Sequence, residues 1–205
     1  MTLPTIISPD TQRKRRQDRT PPGQSLTQKW PILHYGPHIN QTQQAFQLKI
    51  TGLVKKTITL NWTQFDQLPK VNLQCDIHCV THWSKLDNLF RGVQTKTLLE
   101  LAQPLPHATH VIQHARSAPN DDWTTNLPLK DFAQEHCIIA THHDNQPLSP
   151  QHGYPARTII PHLYFWKGAK WISEIELTDQ DQPGFWEING YHMYGDPWKE
   201  QRFAW

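Results

Sequence analysis

Two stretches of the 205-residue chain concentrate side chains able to do chemistry. The first is Gln74-Cys75-Asp76-Ile77-His78-Cys79-Val80-Thr81-His82-Trp83-Ser84-Lys85. Two thiols and two imidazoles within eight residues are donor types that suit zinc. The Cys-x3-Cys spacing, with no second Cys pair behind it, is not that of a standard finger. A zinc-stabilised binding module using Cys75, Cys79 and the neighbouring His is therefore one reading. Two buried structural cysteines with surface histidines is another. If residues 71–77 form a strand, Cys75 and Ile77 share one face and Asp76 and His78 the other. Cys79, at the strand's end, is then freer to point into a cleft.

The second stretch is His152-Gly153-Tyr154-Pro155-Ala156-Arg157, then an apolar run, then Lys167-Gly168-Ala169-Lys170-Trp171. Gly and Pro impose an irregular backbone. Arg offers a planar fork of donors suited to phosphate, and Lys a point charge. The set could hold an anionic cofactor, or be a turn with solvated charges. A third segment, Gly190 to Trp198, carries aromatics that ordinarily pack in the core or at a rim.

The elements that must position these residues are short. Residues 46–50 alternate apolar and polar with period two, Gly52 breaks the run and 57–60 resumes it, which predicts a strand pair. Asn61 caps a helix reaching about Leu68. Further strands are predicted at 71–77, 110–115, 137–141 and 158–160, with another strand pattern over 171–177. Helices are predicted at 95–103 and 127–134, with a polar loop over 116–126. Short strands mixed with short helices, without a βαβ rhythm, give an α+β fold: a single mixed α/β domain over 29–205. Residues 1–28 are polar and Pro-containing and read as an extended or disordered lead-in. Its basic run Arg13-Lys14-Arg15-Arg16-Gln17-Asp18-Arg19 reads as a solvated tail.

Composition narrows the classes. Hydrophobic residues are 37% and charged residues 19%, with formal charge +2, so neither a disordered acidic chain nor a large polyanionic partner such as nucleic acid is indicated. No run approaches the roughly 18 apolar residues of a membrane span. The three cysteines, Cys75, Cys79 and Cys137, argue against a disulfide framework and fit a reducing compartment. The arginines near the start precede no apolar segment, so the expected location is cytoplasmic. Thirteen His make metal or cofactor chemistry worth testing, while nine Trp and 17 Pro suggest a loop-rich β or α+β domain.

Taken together and in order, Cys79-Val80-x-x-Trp83-Ser84, His152-Gly153-x-Pro155-x-Arg157 and Lys167-Gly168-Ala169-Lys170-Trp171 resemble the molybdopterin domain of the sulfite oxidase family. The likeness is greatest to the small bacterial branch that includes the protein-methionine-sulfoxide reductase catalytic subunit. That branch also shares Trp30-Pro31-x-Leu33-His34, Thr125-Asn126-Leu127-Pro128-Leu129 and the Gly190 to Trp198 segment. The resemblance implies a molybdenum–molybdopterin cofactor held through one protein thiolate. Cys79 matches that ligand because Trp83-Ser84 follows at the branch's spacing. Cys75 is a rival, since Leu73-Gln74-Cys75 is similar to the run before the ligand in true sulfite oxidases. His152 and Arg157 match pterin-binding positions, Gly168, Ala169 and Lys170 a phosphate clamp, and His34 an early pterin contact.

The departures shape the expected activity. Ile139-Ala140 is followed by Thr141 where sulfite oxidases place a Tyr, and Thr81, His82 and Lys85 replace an arginine-rich anion pocket. Trp123, Thr141 and His143 are the expected pocket wall, with histidines as hydrogen-bond donors or proton carriers. The resemblance thus implies an oxidoreductase performing two-electron oxygen-atom transfer, reducing an S-oxide or N-oxide more readily than oxidising a sulfur oxyanion such as sulfite. With haem and dimerisation domains absent from the sequence, a separate protein would donate or accept electrons. A molybdopterin-binding domain without turnover is the remaining alternative.

Overall fold

The structure is a computed structural model that describes residues 3–13, 17–36, 39–116 and 123–204. In chain order the strands begin with β1 (Thr5–Ile7), β2 (Ser25–Leu26), β3 (Gln47–Gly52) and β4 (Ile58–Asn61), followed by helix α1 (Trp62–Asp66). Next come β5 (Lys70–His78), β6 (Trp83–Gln94), α2 (Thr95–Ala102), β7 (His110–Ala115), β8 (Trp123–Pro128) and α3 (Leu129–Phe132). The chain ends with β9 (Ile138–His143), β10 (Gln146–Pro147), β11 (Arg157–Ile159), β12 (Ile172–Thr178) and α4 (Phe185–Ile188).

Two mixed sheets result. One runs β1-β5-β6-β9-β10, with β11 on β9 and β2 on β6; the other runs β4-β3-β12-β7-β8. The mixed α+β fold class expected from the sequence is the one observed. The period-two residues Leu48 and Ile50 point into the larger core, where Ile175 and Leu177 from β12 and Val111 from β7 meet them. Asn61 caps α1 through a capping box with Gln64, as its position before an apolar turn predicts.

One strand carried no expectation, and two readings need correction. Residues 83–94, which show no clean alternation, form the longest strand, β6. Ser84 and Asn88 are buried on it together with Phe90 of the smaller core, while Val93 faces the larger one. Ser84 Oγ meets His78 Nδ1 at 2.8 Å, and Asn88 Nδ2 donates to the carbonyls of Cys75 and Lys85. Inward polar residues that find partners thus hide the hydrophobic period. The predicted loop 116–126 ends in β8 rather than continuing to a helix at 127, because Thr125 and Asn126 are buried among hydrogen-bond partners. Residues 117–122 lie outside the described part.

The basic run is not simply a solvated tail. Arg19 is buried and forks onto Asp76, its Nε and Nη2 donating to the two carboxylate oxygens at 2.8 and 2.6 Å, and Nη2 also reaches Asp87 at 2.7 Å. Lys14 to Arg16 lie outside the described residues. The lead-in stretch also supplies β1, parallel to β5, and β2, parallel to β6. No helix among the described residues is long and apolar enough to cross a membrane.

Candidate functional site

Cys79 stands at the tip of the β5–β6 hairpin. Its amide donates to the Trp83 carbonyl at 2.9 Å, the His82 amide donates to the Cys79 carbonyl at 3.1 Å, and His82 takes the left-handed conformation that closes the turn. Two outside groups brace the loop: Gln24 Nε2 donates to the Cys79 carbonyl at 3.0 Å and Arg202 Nη1 to the Val80 carbonyl at 2.9 Å. The strand ends here, so the thiol leaves the sheet and joins the wall of a cavity of about 250 Å³.

Cys75 has a different fate. It packs with Leu73, Ile77, Phe90 and Ile138 in the core between β5, β6 and β9, and burial raises its thiol well above the ordinary range. Cys79 is also pushed up by burial, but the Thr81 hydroxyl at 3.2 Å from Sγ opposes that shift. The supposed zinc group is not assembled. His78 is engaged with Ser84, and His82 Nδ1 meets the Gly23 carbonyl at 2.8 Å. Among the described residues no cluster of three metal-ligating side chains includes Cys75 or Cys79.

The opposite wall is the anion-binding stretch. Arg157 opens β11 and is paired with Lys170 across an isolated antiparallel bridge. Both are buried. The Arg157 Nη atoms donate to the carbonyls of His152 and Gly168, each at 3.2 Å, and Lys170 Nζ donates to those of Leu33 and Gln151 at 2.7 and 2.8 Å. No carboxylate among the described residues lies within ion-pair distance of either. Desolvation alone lowers Arg157 to about 9, and desolvation with the Arg157 charge lowers Lys170 to about 7. Two buried, uncompensated cations lining a cavity fit an anion that the protein itself does not supply.

The backbone at this wall leaves no room for side chains. Gly153 adopts a φ of +103°, and a Cβ there would crowd both Arg157 and Lys170 at 3.1 Å. A Cβ on Gly168 would meet the Thr158 carbonyl oxygen at 2.4 Å. His152 stacks on Trp30, ring centroids 3.8 Å apart, and burial together with the Arg157 and Lys170 charges lowers it to about 3. Its Nδ1 and the Arg157 Nε are buried with no hydrogen-bond partner. Both lining residues thus keep a donor or acceptor for something else in the cavity.

Of the residues singled out from the sequence, Cys79, His34, Trp123, His152, Arg157, Gly168 and Lys170 line this one cavity. Ala169 stays behind it in the core, its amide toward Gln113. Thr141 and His143 do not reach the wall. Thr141 bonds His142 and the Arg91 carbonyl, while His143 lies behind Trp30 and contacts Asn88. His82 and Lys85 also lie outside it. Neither of these two histidines, His82 and His143, lines the cavity, and burial lowers His143 to about 4. Unanticipated wall residues are Phe165, Trp166, Trp186 and Tyr191. Tyr191 lies in the Gly190 to Trp198 segment already noted for its aromatics, while the sequence signal for Trp166 and Trp186 was the count of nine tryptophans.

Comparisons with known proteins identify the family. The family model for an oxidoreductase molybdopterin binding domain matches residues 34–186. The chain is 44% identical over 197 residues to the "uncharacterized oxidoreductase YuiH" of Bacillus subtilis (strain 168), covering 95% of this chain and 97% of that one. It is 30% identical over 162 residues to the protein-methionine-sulfoxide reductase catalytic subunit MsrP of Gluconobacter oxydans (strain 621H), covering 72% of this chain and 52% of that relative. Among solved structures, the sulfane dehydrogenase SoxCD from Paracoccus pantotrophus shares the fold, with a TM-score of 0.62 at 19% identity over 70% of this chain and 40% of that one. The protein belongs to the sulfite oxidase-like family of molybdopterin-binding oxidoreductases.

Proposed function

We propose that the protein is a molybdenum–molybdopterin enzyme that reduces a neutral S-oxide or N-oxide by two-electron oxygen-atom transfer. One observation carries this reading: a buried thiol, Cys79, shares an aromatic-walled cavity with two buried cations that have no carboxylate partner. Arg157 and Lys170 hold the pterin phosphate, and Gly168, without a side chain, keeps the Arg157–Lys170 strands close. His152, fixed by stacking on Trp30 and neutral, offers Nδ1 to the pterin. Cys79 loses its proton and becomes the metal ligand. The bound group supplies the two-electron redox chemistry.

The remaining residues prepare the site for a neutral oxide. Trp83, Trp166, Trp186 and Tyr191 exclude water around the Cys79 side. Burial, reinforced by Cys79, raises the Tyr191 phenol, so it stays protonated at neutral pH and serves as a donor to an oxide oxygen. Arg157 and Lys170 are committed to the phosphate, which leaves a sulfite dianion without fixed positive charge to offset its desolvation. The Gluconobacter relative, a protein-methionine-sulfoxide reductase catalytic subunit, agrees in direction. A separate protein delivers the electrons. The compartment we propose is the cytoplasm, in keeping with three free cysteines.

Steady-state assays on one preparation test this, with a reduced dye driving sulfoxide and N-oxide reduction and an oxidised acceptor for sulfite. The expected result is a higher kcat/KM for the neutral oxide at pH 7. Efficient sulfite oxidation with negligible oxide reduction contradicts it. A bound metal that takes up no electrons in a redox titration favours the non-catalytic alternative.

A further inference from the structure

A second cavity, of about 280 Å³, opens elsewhere on the molecule and has no part in the Cys79 site. His136 and His162 line it, and with Cys137 they form the one group of three metal-ligating side chains among the described residues, their ligand atoms all within 4.8 Å of one another. His136 and Cys137 precede β9, while His162 lies in the loop after β11. The strand pair β9–β11 brings them together.

The atomic arrangement is that of a prepared ligand set. His136 Nε2 and His162 Nδ1 are 3.1 Å apart. Two nitrogens on one tetrahedral zinc, each at roughly 2.0–2.1 Å, would be separated by about 3.3 Å. Without a metal that contact is a hydrogen bond between imidazoles. The other nitrogen of His162, Nε2, faces Asp131 Oδ1 at 3.2 Å. That carboxylate lies within ion-pair distance of Nε2 without hydrogen-bond geometry, and it stands on the side of the ring away from His136, where metal-bound histidines commonly have an outer carboxylate. Tyr194 donates its hydroxyl to the same Oδ1 at 3.1 Å.

Asp131 adds the independent sign. It is only 3% exposed, yet its Oδ2 is buried with no hydrogen-bond partner. A buried carboxylate oxygen left bare is costly unless positive charge lies close. No lysine or arginine lines this cavity, while Asp10, Asp131 and Asp196 do. Arg13 and Lys199 pair with Asp10 and Asp196, and neither reaches Asp131.

We propose that His136 Nε2, His162 Nδ1 and Cys137 Sγ bind one zinc ion, with Asp131 as the positioning residue and a fourth coordination position open to the second cavity. Thiolate and imidazole select zinc over magnesium or calcium, which prefer oxygen. Binding releases the Cys137 proton to solvent, and the ion ties the His162 loop to the start of β9. The site is independent of the Cys79 reading.

Cobalt(II) is the probe, titrated into the intact protein as purified, with Cys79→Ser as the control for the other cavity-lining thiol. The expected result is one equivalent bound, with visible bands of tetrahedral geometry and a near-ultraviolet thiolate-to-cobalt band, all displaced by zinc. Cys137→Ser should remove the thiolate band and Cys79→Ser should keep it. His162→Gln, at a half-buried position that tolerates the change, should weaken binding at least 100-fold. Asp131→Asn should weaken it about 10- to 100-fold. Should Cys137→Ser fail to fold, the His162 and Asp131 variants decide. No stoichiometric uptake, or uptake unchanged in His162→Gln and Asp131→Asn, overturns the proposal, as does a thiolate band lost in Cys79→Ser but kept in Cys137→Ser.

Discussion

Arg157 and Lys170 face each other across an isolated β-bridge, both buried and neither meeting a carboxylate. Like charges held together out of water destabilise the protein that carries them, and an anion between them reverses the effect. Their pairing is therefore a property of the ligand-free chain that ligand-free protein should reveal.

The sign follows from proton counting. Lys170 falls from its ordinary 10.5 to about 7 in the folded protein, so between those values the unfolded chain binds more protons. Stability of cofactor-free protein should rise with pH from about 7. The contribution of Lys170 between pH 7 and 8.5 is about 1.5 kcal/mol. Calorimetric melts of cofactor-free wild type and Lys170→Met give it as the difference in slope. The variant should be the more stable at pH 7 and should lose the slope. Parallel curves would mean that Lys170 keeps an ordinary affinity for its proton.

Arg157 should control cofactor retention. Hydrogen bonds from a charged donor contribute about 1.5–3 kcal/mol each, so Arg157→Ala should purify with a small fraction of the wild-type pterin. Arg157→Lys should recover it only in part, since an ammonium cannot fork between the carbonyls of His152 and Gly168 and a phosphate. Fluorescence of the released, oxidised pterin measures this. Wild-type pterin in Arg157→Ala would separate the guanidinium from the cofactor.

Arg19 should prove part of the domain. Arg19→Ala leaves Asp76 buried with its charge uncompensated, a loss of about 3–5 kcal/mol by comparison with other broken buried pairs. Asp76 lies three residues before Cys79, so the hairpin carrying the thiol should loosen too. Chemical denaturation should show the loss, and faster alkylation of Cys79 the loosening. A change below 0.5 kcal/mol, the size of an ordinary surface substitution, would restore Arg19 to a solvated tail.

Local patterns that fold through local physics were legible. The alternation of Leu48 and Ile50, the Asn61 cap and the 110–115 strand are set by burial period and capping within a few residues. What escaped depends on distant partners. Ser84 and Asn88 look like loop residues until His78 and the Cys75 carbonyl satisfy them. Arg19 looks like tail until Asp76, far along the chain, receives it. At the site, Cys79, His152, Arg157 and Lys170 were found because their motifs resemble a family. Phe165, Trp166, Trp186 and Tyr191 were not, because an aromatic that walls a cavity has the same sequence signature as one in a core. Thr141 and His143 follow the same logic in reverse: alternation along β9 and the contact with Trp30 turn them away from the wall.

Cys79 as the metal ligand is the central claim, and X-ray absorption at the molybdenum edge reads it directly. Compared with wild type, Cys79→Ser should lose one sulfur neighbour from the metal, whereas Cys75→Ser and Cys137→Ser should keep the full set. A sulfur retained in Cys79→Ser and lost in Cys75→Ser would assign the metal to the core cysteine and contradict the account.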